Sequence, residues 1–110
     1  MKNSSNPLTQ AALTYLNTNG YRAWRQNNGG VYDPKLRRFR KSNGRLGVSD
    51  ILGIQLKTGR FVAVEIKTIN DTLSPEQIQF LKDVAQAGGI AIAAYTLDQF
   101  LEKIKPFNLK

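Results

Sequence analysis

The sequence has no cysteine and no histidine. Without cysteine there are neither disulfides nor thiolate zinc centres. Without histidine the commonest general base and metal ligand is gone. Any chemistry must run on carboxylates, lysine, hydroxyls and amides. Long apolar runs are also missing. No stretch approaches the ~20 residues of a membrane span, and the N-terminus has no signal-peptide core. The chain is therefore expected to be cytoplasmic, with no membrane partner. Acids are scarce in one half. Residues 1–49 carry nine Lys or Arg and one acid, Asp33, whereas residues 50–110 carry seven of each sign.

The net charge of +8 is thus wholly N-terminal. It concentrates in Lys35, Arg37, Arg38, Arg40 and Lys41, with Arg22, Arg25 and Arg45 nearby. A localised basic field suits a polyanion, because releasing condensed counterions drives binding to nucleic acid. Arg37, Arg38, Arg40 and Lys41, with Lys35 and Arg45, are expected to hold the nucleic-acid backbone rather than read bases. Arg25 and Asn27 are placed either against a phosphate of that partner or simply as a strand end and a turn.

At 110 residues a single domain spanning 1–110 is expected. Pro7 opens a helix that runs through Leu8, Ala12, Leu13 and Leu16 to a stop at Gly20. Tyr21 to Arg25 alternates as a strand, with Trp24 expected in the core. Val31-Tyr32 starts another strand. Residues 33–46, basic and broken by Pro34 and Gly44, are expected to form a flexible loop. Two apolar runs, 47–56 and 60–67, form a hairpin. Ser74-Pro75-Glu76-Gln77 has the form of a capping box with proline in the first turn, and Ile78, Phe80, Leu81, Val84 and Ala85 supply that helix's apolar face. Residues 90–95 form an interior strand. A last helix opens at residues 96–99, with Asp98 as its cap; Asp71 marks a turn. The order α-β-β-β-α-β-α predicts an α/β fold, a mixed sheet flanked by helices.

The hairpin carries the chemistry. Asp50, Glu65 and Lys67 lie in otherwise apolar strands, where charge is rare unless paired, solvated or metal-bound. Glu65 and Lys67 share a face by strand alternation. A two-residue Thr58-Gly59 turn would set Leu52 opposite Glu65 and Asp50 opposite Lys67. Asp50 and Glu65 then become a diagonal pair, ~7–8 Å apart at the backbone. Two carboxylates suit a hard cation such as Mg2+, with the backbone carbonyl of Ile66 as a third donor. The competing reading is a salt bridge from Lys67 to Asp50 or Glu65 at a sheet edge.

Three segments together resemble the VRR-NUC domain of the PD-(D/E)xK nuclease superfamily, in its short, stand-alone, phage-type form. They are Gly47-Val48-Ser49-Asp50-Ile51-Leu52-Gly53, Val64-Glu65-Ile66-Lys67-Thr68, and Leu73-Ser74-Pro75-Glu76-Gln77 with Phe80-Leu81 and Gly88-Gly89. Arg25-Gln26-Asn27-Asn28-Gly29 resembles the segment upstream, and the likeness spans residues 8–101. It implies a restriction-endonuclease-like fold and a Mg2+- or Mn2+-dependent DNA endonuclease. The implied substrates are branched DNA such as Holliday junctions in replication, recombination or repair. A homodimer in a bacterial or phage-infected cell is also implied. By position, Asp50 and Glu65 become metal ligands, Lys67 the catalytic lysine and Gln77 a polar group of the site. One departure stands out: the resemblance implies a glutamate in the first helix, where this chain has Gln10 and no acid before Asp33. A non-catalytic nucleic-acid-binding module that keeps the nuclease fold is the alternative.

Overall fold

The computed structural model describes residues 7–26, 31–35, 37–40 and 47–109, with backbone alone at 31–33 and 38–40. Seven elements build the main body: α1 (Pro7–Thr18), β1 (Tyr21–Arg25), β4 (Ile51–Gln55), β5 (Phe61–Ile66), α2 (Pro75–Gln86), β6 (Ile90–Ala94) and α3 (Leu97–Ile104). Between β1 and β4 lies a two-stranded ribbon, β2 (Val31–Asp33) and β3 (Arg38–Arg40). The main sheet has the order β1-β4-β5-β6. Its first three strands are antiparallel neighbours, and β6 joins β5 in parallel after the α2 crossover. The expected α-β-β-β-α-β-α order and mixed sheet are what the main body shows. The ribbon is the difference: part of the stretch expected as a loop pairs Val31 with Arg40, and Arg37 between the strands takes a left-handed φ of 56°. Among the described residues, no helix is long and apolar enough to cross a membrane.

Side-chain alternation gives the sheet two unlike faces. One face presents Tyr21, Ile51, Val62, Val64, Ile66, Ile90, Ile92 and Ala94, and α1 and α3 cover it with Ala12, Leu16, Phe100 and Ile104. Tyr15 meets Phe100 edge-on at 5.8 Å. The other face is only half covered. Helix α2 packs mainly on β5 and β6, and Trp24 of β1 and Ile54 of β4 stay exposed on this side. Of the face expected for α2, Val84 is buried and Phe80 and Leu81 are half-buried, while Ile78 and Ala85 stay exposed. Trp24, expected in the core, is 42% exposed, because its place in β1 points it away from α1 and α3.

The hairpin turn is longer than expected. Ile54 pairs with Phe61 and Ile51 with Val64, so four residues, 56–59, connect the strands. The reason lies in Gln55, whose buried amide donates to the Phe107 carbonyl at 2.7 Å and accepts from the Thr58 hydroxyl at 2.6 Å. Its backbone is held as well: Gln55 N–H donates to the Arg60 carbonyl and Gly59 N–H to the Gln55 carbonyl. With β4 pinned at Gln55, the chain turns through Gly59 at a φ of +78°, a conformation glycine adopts without strain. The slip is two residues, so every side chain keeps its face. At the last helix the cap is Thr96, whose hydroxyl accepts from Gln99 N–H; Asp98 lies inside the first turn.

Candidate active site

The pairing of β4 with β5, carried one residue past Ile51↔Val64, sets Asp50 directly opposite Glu65 rather than opposite Lys67. Gln55 and Arg60 exchange a ladder bond, so hydrogen-bonded pairs fall at 55/60, 53/62 and 51/64, and Asp50/Glu65 is the non-hydrogen-bonded kind. Asp50 is close enough for its charge to act on the Glu65 carboxyl. Two carboxyl groups therefore face each other.

Strand β4 leaves the ladder at this point. Ile66 N–H, deprived of a strand partner, donates instead to Asp50 Oδ2 at 3.0 Å. N–H and C=O of one strand residue project along the same edge, so the Ile66 carbonyl also faces the Asp50 side. The preceding segment is held by Gly47. At its φ of +81° a Cβ would lie 2.4 Å from the Glu76 carbonyl oxygen, so only glycine lets this segment pass so close to the first turn of α2.

Glu65 is 1% exposed. Its Oε2 accepts from Gln77 Nε2 at 3.1 Å and lies 4.0 Å from Lys67 Nζ. Its Oε1 is buried with no hydrogen-bond partner. Gln77 serves two tasks with the two ends of one amide. Its Oε1 accepts from Ser74 N–H at 2.8 Å, closing the capping box with the Gln77 N–H to Ser74 Oγ bond at 3.1 Å, and its Nε2 reaches Glu65. Both contacts require the same orientation of the amide. Lys67 follows β5 and is tied by its N–H to the Ala94 carbonyl at 3.0 Å. The turn after it is fixed by Thr68 Oγ1 to Asp71 Oδ2 at 2.7 Å and Tyr95 OH to the Asp71 carbonyl at 3.1 Å.

Burial pushes the Glu65 carboxyl up to about 8, and the facing Asp50 adds to the shift while Lys67 opposes it. The folded chain thus holds a proton that the unfolded chain releases above its ordinary value of 4.5. This contribution to stability is complete below that value, declines as pH rises, and is gone above about 8. In chelator-containing buffer the melting temperature is expected to fall from pH 5 to pH 8.5 by about 5 °C or more, roughly 1 kcal/mol for a domain of this size. Thermal melts of wild type and Glu65→Gln check this: the variant's curve should be flatter by that amount.

The site as it stands offers two facing carboxylates, one of them with an orphaned oxygen, a backbone carbonyl on the same edge and an ammonium group alongside. That is an oxygen donor set of the kind hard divalent cations take. Among the described residues, no group of three or more His, Cys, Asp or Glu gathers around a common point. Gln10 is exposed on α1.

Lys35 and Arg37 are exposed between β2 and β3, Arg38 and Arg40 lie in β3, and Arg25 is exposed at the end of β1 on the strand side facing α1. Asn27, Lys41 and Arg45 lie outside the described residues. A residue the sequence reasoning passed over is Gln26. Its N–H donates to the Asp50 carbonyl at 2.7 Å, extending the β1/β4 register by one step. Gln26, Asp50 and Glu65 therefore stand in one row across three strands. Counting Arg22, Trp24 and Gln26 by twos along β1 was the available signal.

The sequence matches the family model described as the VRR-NUC domain over residues 8–96. A solved structure described as a VRR_NUC domain superposes with a TM-score of 0.62 at 19% identity, covering 90% of this chain and 90% of that chain. At that identity the likeness concerns the fold. No match is found among curated proteins.

Proposed function

Because this chain belongs to the VRR-NUC domain family, a nuclease-type domain, we propose that it is a divalent-metal-dependent DNA endonuclease. The observation that carries this is the closeness of Asp50 to Glu65, with an unpartnered Glu65 Oε1 and Lys67 Nζ 4.0 Å from the other oxygen. Two acids this close repel once both ionise, and a cation between them would relieve that repulsion.

Asp50, Glu65 and the Ile66 carbonyl are the groups that would hold Mg2+ or Mn2+. When bound, such an ion polarises a phosphodiester and lowers the pKa of a coordinated water. The chain's own residues do the rest. Asp50 is held in place by Ile66 N–H, and Glu65 by the Gln77 amide. Gln77 is in turn locked by the Ser74 capping box, so α2 orients a group of the site rather than merely flanking it. Lys67 stands where it can orient the attacking water or stabilise charge building on the phosphate oxygens. The net charge of +8 supports a DNA substrate.

Branched or junction DNA is the proposed substrate, and a homodimer the proposed form. A four-way junction offers two symmetry-related strands, which a two-fold dimer would engage equivalently. Cleavage of four-way junction, flap and linear duplex at matched salt, in Mg2+, Mn2+ and EDTA, tests both parts. Products should appear only with divalent ions, and earliest with the branched substrates. A second reading, a binding module without catalysis, is favoured by one observation: α1 carries no carboxylate. Junction binding with no cleavage across several metals would establish it.

A further inference from the structure

The partly exposed half of this sheet face continues directly from the candidate active site. Along β1 the outward side chains are Arg22, Trp24 and Gln26. The β1/β4 and β4/β5 registers set these in three rows: Arg22 with Ile54 and Phe61, Trp24 with Leu52 and Ala63, then Gln26 with Asp50 and Glu65. Ala63 is buried beneath α2, whereas Ile54 is 38% and Phe61 40% exposed, alongside Trp24. The result is an apolar, partly aromatic floor with α2 as one wall, an exposed arginine at its far end and the acid pair at its near end.

On the DNA-directed reading above, we infer that this face is a track for an unpaired DNA strand, and that Trp24 stacks one of its bases next to the acid pair. Successive rows are two residues apart, or about 6.6–6.8 Å. That is about twice the 3.4 Å rise of one stacked strand, so it suits a strand drawn out of its duplex rather than an intact helix. An exposed aromatic on an open sheet is the arrangement that RNA-binding sheets use to stack splayed bases. Apolar contact with base faces is indifferent to sequence. Arg22 supplies charge complementary to the phosphates of the same strand. The track would admit a branch point with a free arm and refuse a fully paired end, so it is a source of selectivity for DNA structure that lies outside the acid pair.

Trp24 is the sole tryptophan, so emission excited selectively at tryptophan, beyond the tyrosine absorption, reports on this face alone. The wild-type full chain is titrated in EDTA, at one salt concentration, with a ten-nucleotide oligothymidylate, a 5′ flap and a blunt duplex. The single strand and the flap should quench Trp24 emission, and the blunt duplex should not. Trp24→Ala should weaken oligothymidylate binding about tenfold or more, the range set by base–aromatic stacking. Trp24→Phe should retain most of the affinity, with matching melting temperatures showing that both variants fold. Equal quenching by blunt duplex, or unaltered single-strand affinity in Trp24→Ala, would overturn the inference. So would an emission change on concentrating the protein without DNA, which would assign the face to a second copy of the chain. Cleavage in Mg2+ is scored separately. Cleavage without quenching removes the track and leaves the nuclease; quenching without cleavage in any metal removes the nuclease and leaves the track.

Discussion

Asp50→Asn and Glu65→Gln should each lower metal-dependent cleavage by about a thousandfold or more, while raising the melting temperature of the metal-free protein. The loss follows from donor chemistry, because neutral amides are poor substitutes for carboxylates around a hard divalent ion. The gain follows from the register. Two acids face each other in a non-hydrogen-bonded pair, one of them 1% exposed, and a lysine 4.0 Å away offsets only part of the repulsion. Each replacement keeps the shape and the existing bonds. An asparagine oxygen still accepts from Ile66 N–H, and a glutamine at 65 still accepts from Gln77 while turning its amide N–H toward Asp50. Asp50→Asn removes the charge facing Glu65, and Glu65→Gln removes the charge that Glu65 acquires above about pH 8. The stabilisation should be largest above pH 8, where wild-type Glu65 is ionised, and should amount to about 1–2 kcal/mol, several degrees in a domain of this size. Sites that give up stability for activity behave in this way. A gel assay and melts in EDTA at pH 5 and 8.5 check both halves. A plain salt bridge to Lys67 foretells the opposite: lower melting temperatures for both variants and unchanged cleavage.

Lys67→Ala should cost about 10²–10³ in kcat, the usual loss when one preorganised donor to developing charge is removed. Divalent-metal affinity should change only a few-fold. Lys67 shares a face with Glu65 but contributes no ligand atom, and its backbone is held independently by Ala94. Lys67→Arg should rescue poorly, because a planar guanidinium does not replace a compact ammonium at a single point. Single-turnover kinetics with calorimetric Mn2+ titration separates the two quantities. Retained turnover with lost metal affinity would reassign Lys67 from chemistry to holding the acids in place.

Much of this was legible in the residues. The capping box at Ser74 and Gln77 is a spacing rule with a physical cause, and it forms as written. Asp50 and Glu65 share a face in any register with an odd residue sum, so the pair survived an error of two in the turn. The turn itself was not legible, because it depends on Gln55 reaching Phe107 and on Tyr21 reaching Asn108, partners 52 and 87 residues away. Trp24 was misplaced for a related reason. Alternation reveals that two faces differ, but which face a helix covers is decided by where α2 lands after its crossover. Of the β2–β3 ribbon, the strand starting at Val31-Tyr32 was legible, whereas β3 hid behind basic composition that carries little strand signal.

The most direct test is anomalous diffraction from a crystal of the wild-type protein soaked in Mn2+. One strong peak should lie between the Asp50 and Glu65 carboxyl groups, within ligand reach of Glu65 Oε1 and the Ile66 carbonyl, and it should vanish in Asp50→Asn. Saturating Mn2+ with no peak between those two side chains, or a peak that persists unchanged in Asp50→Asn, would contradict the metal-centred site.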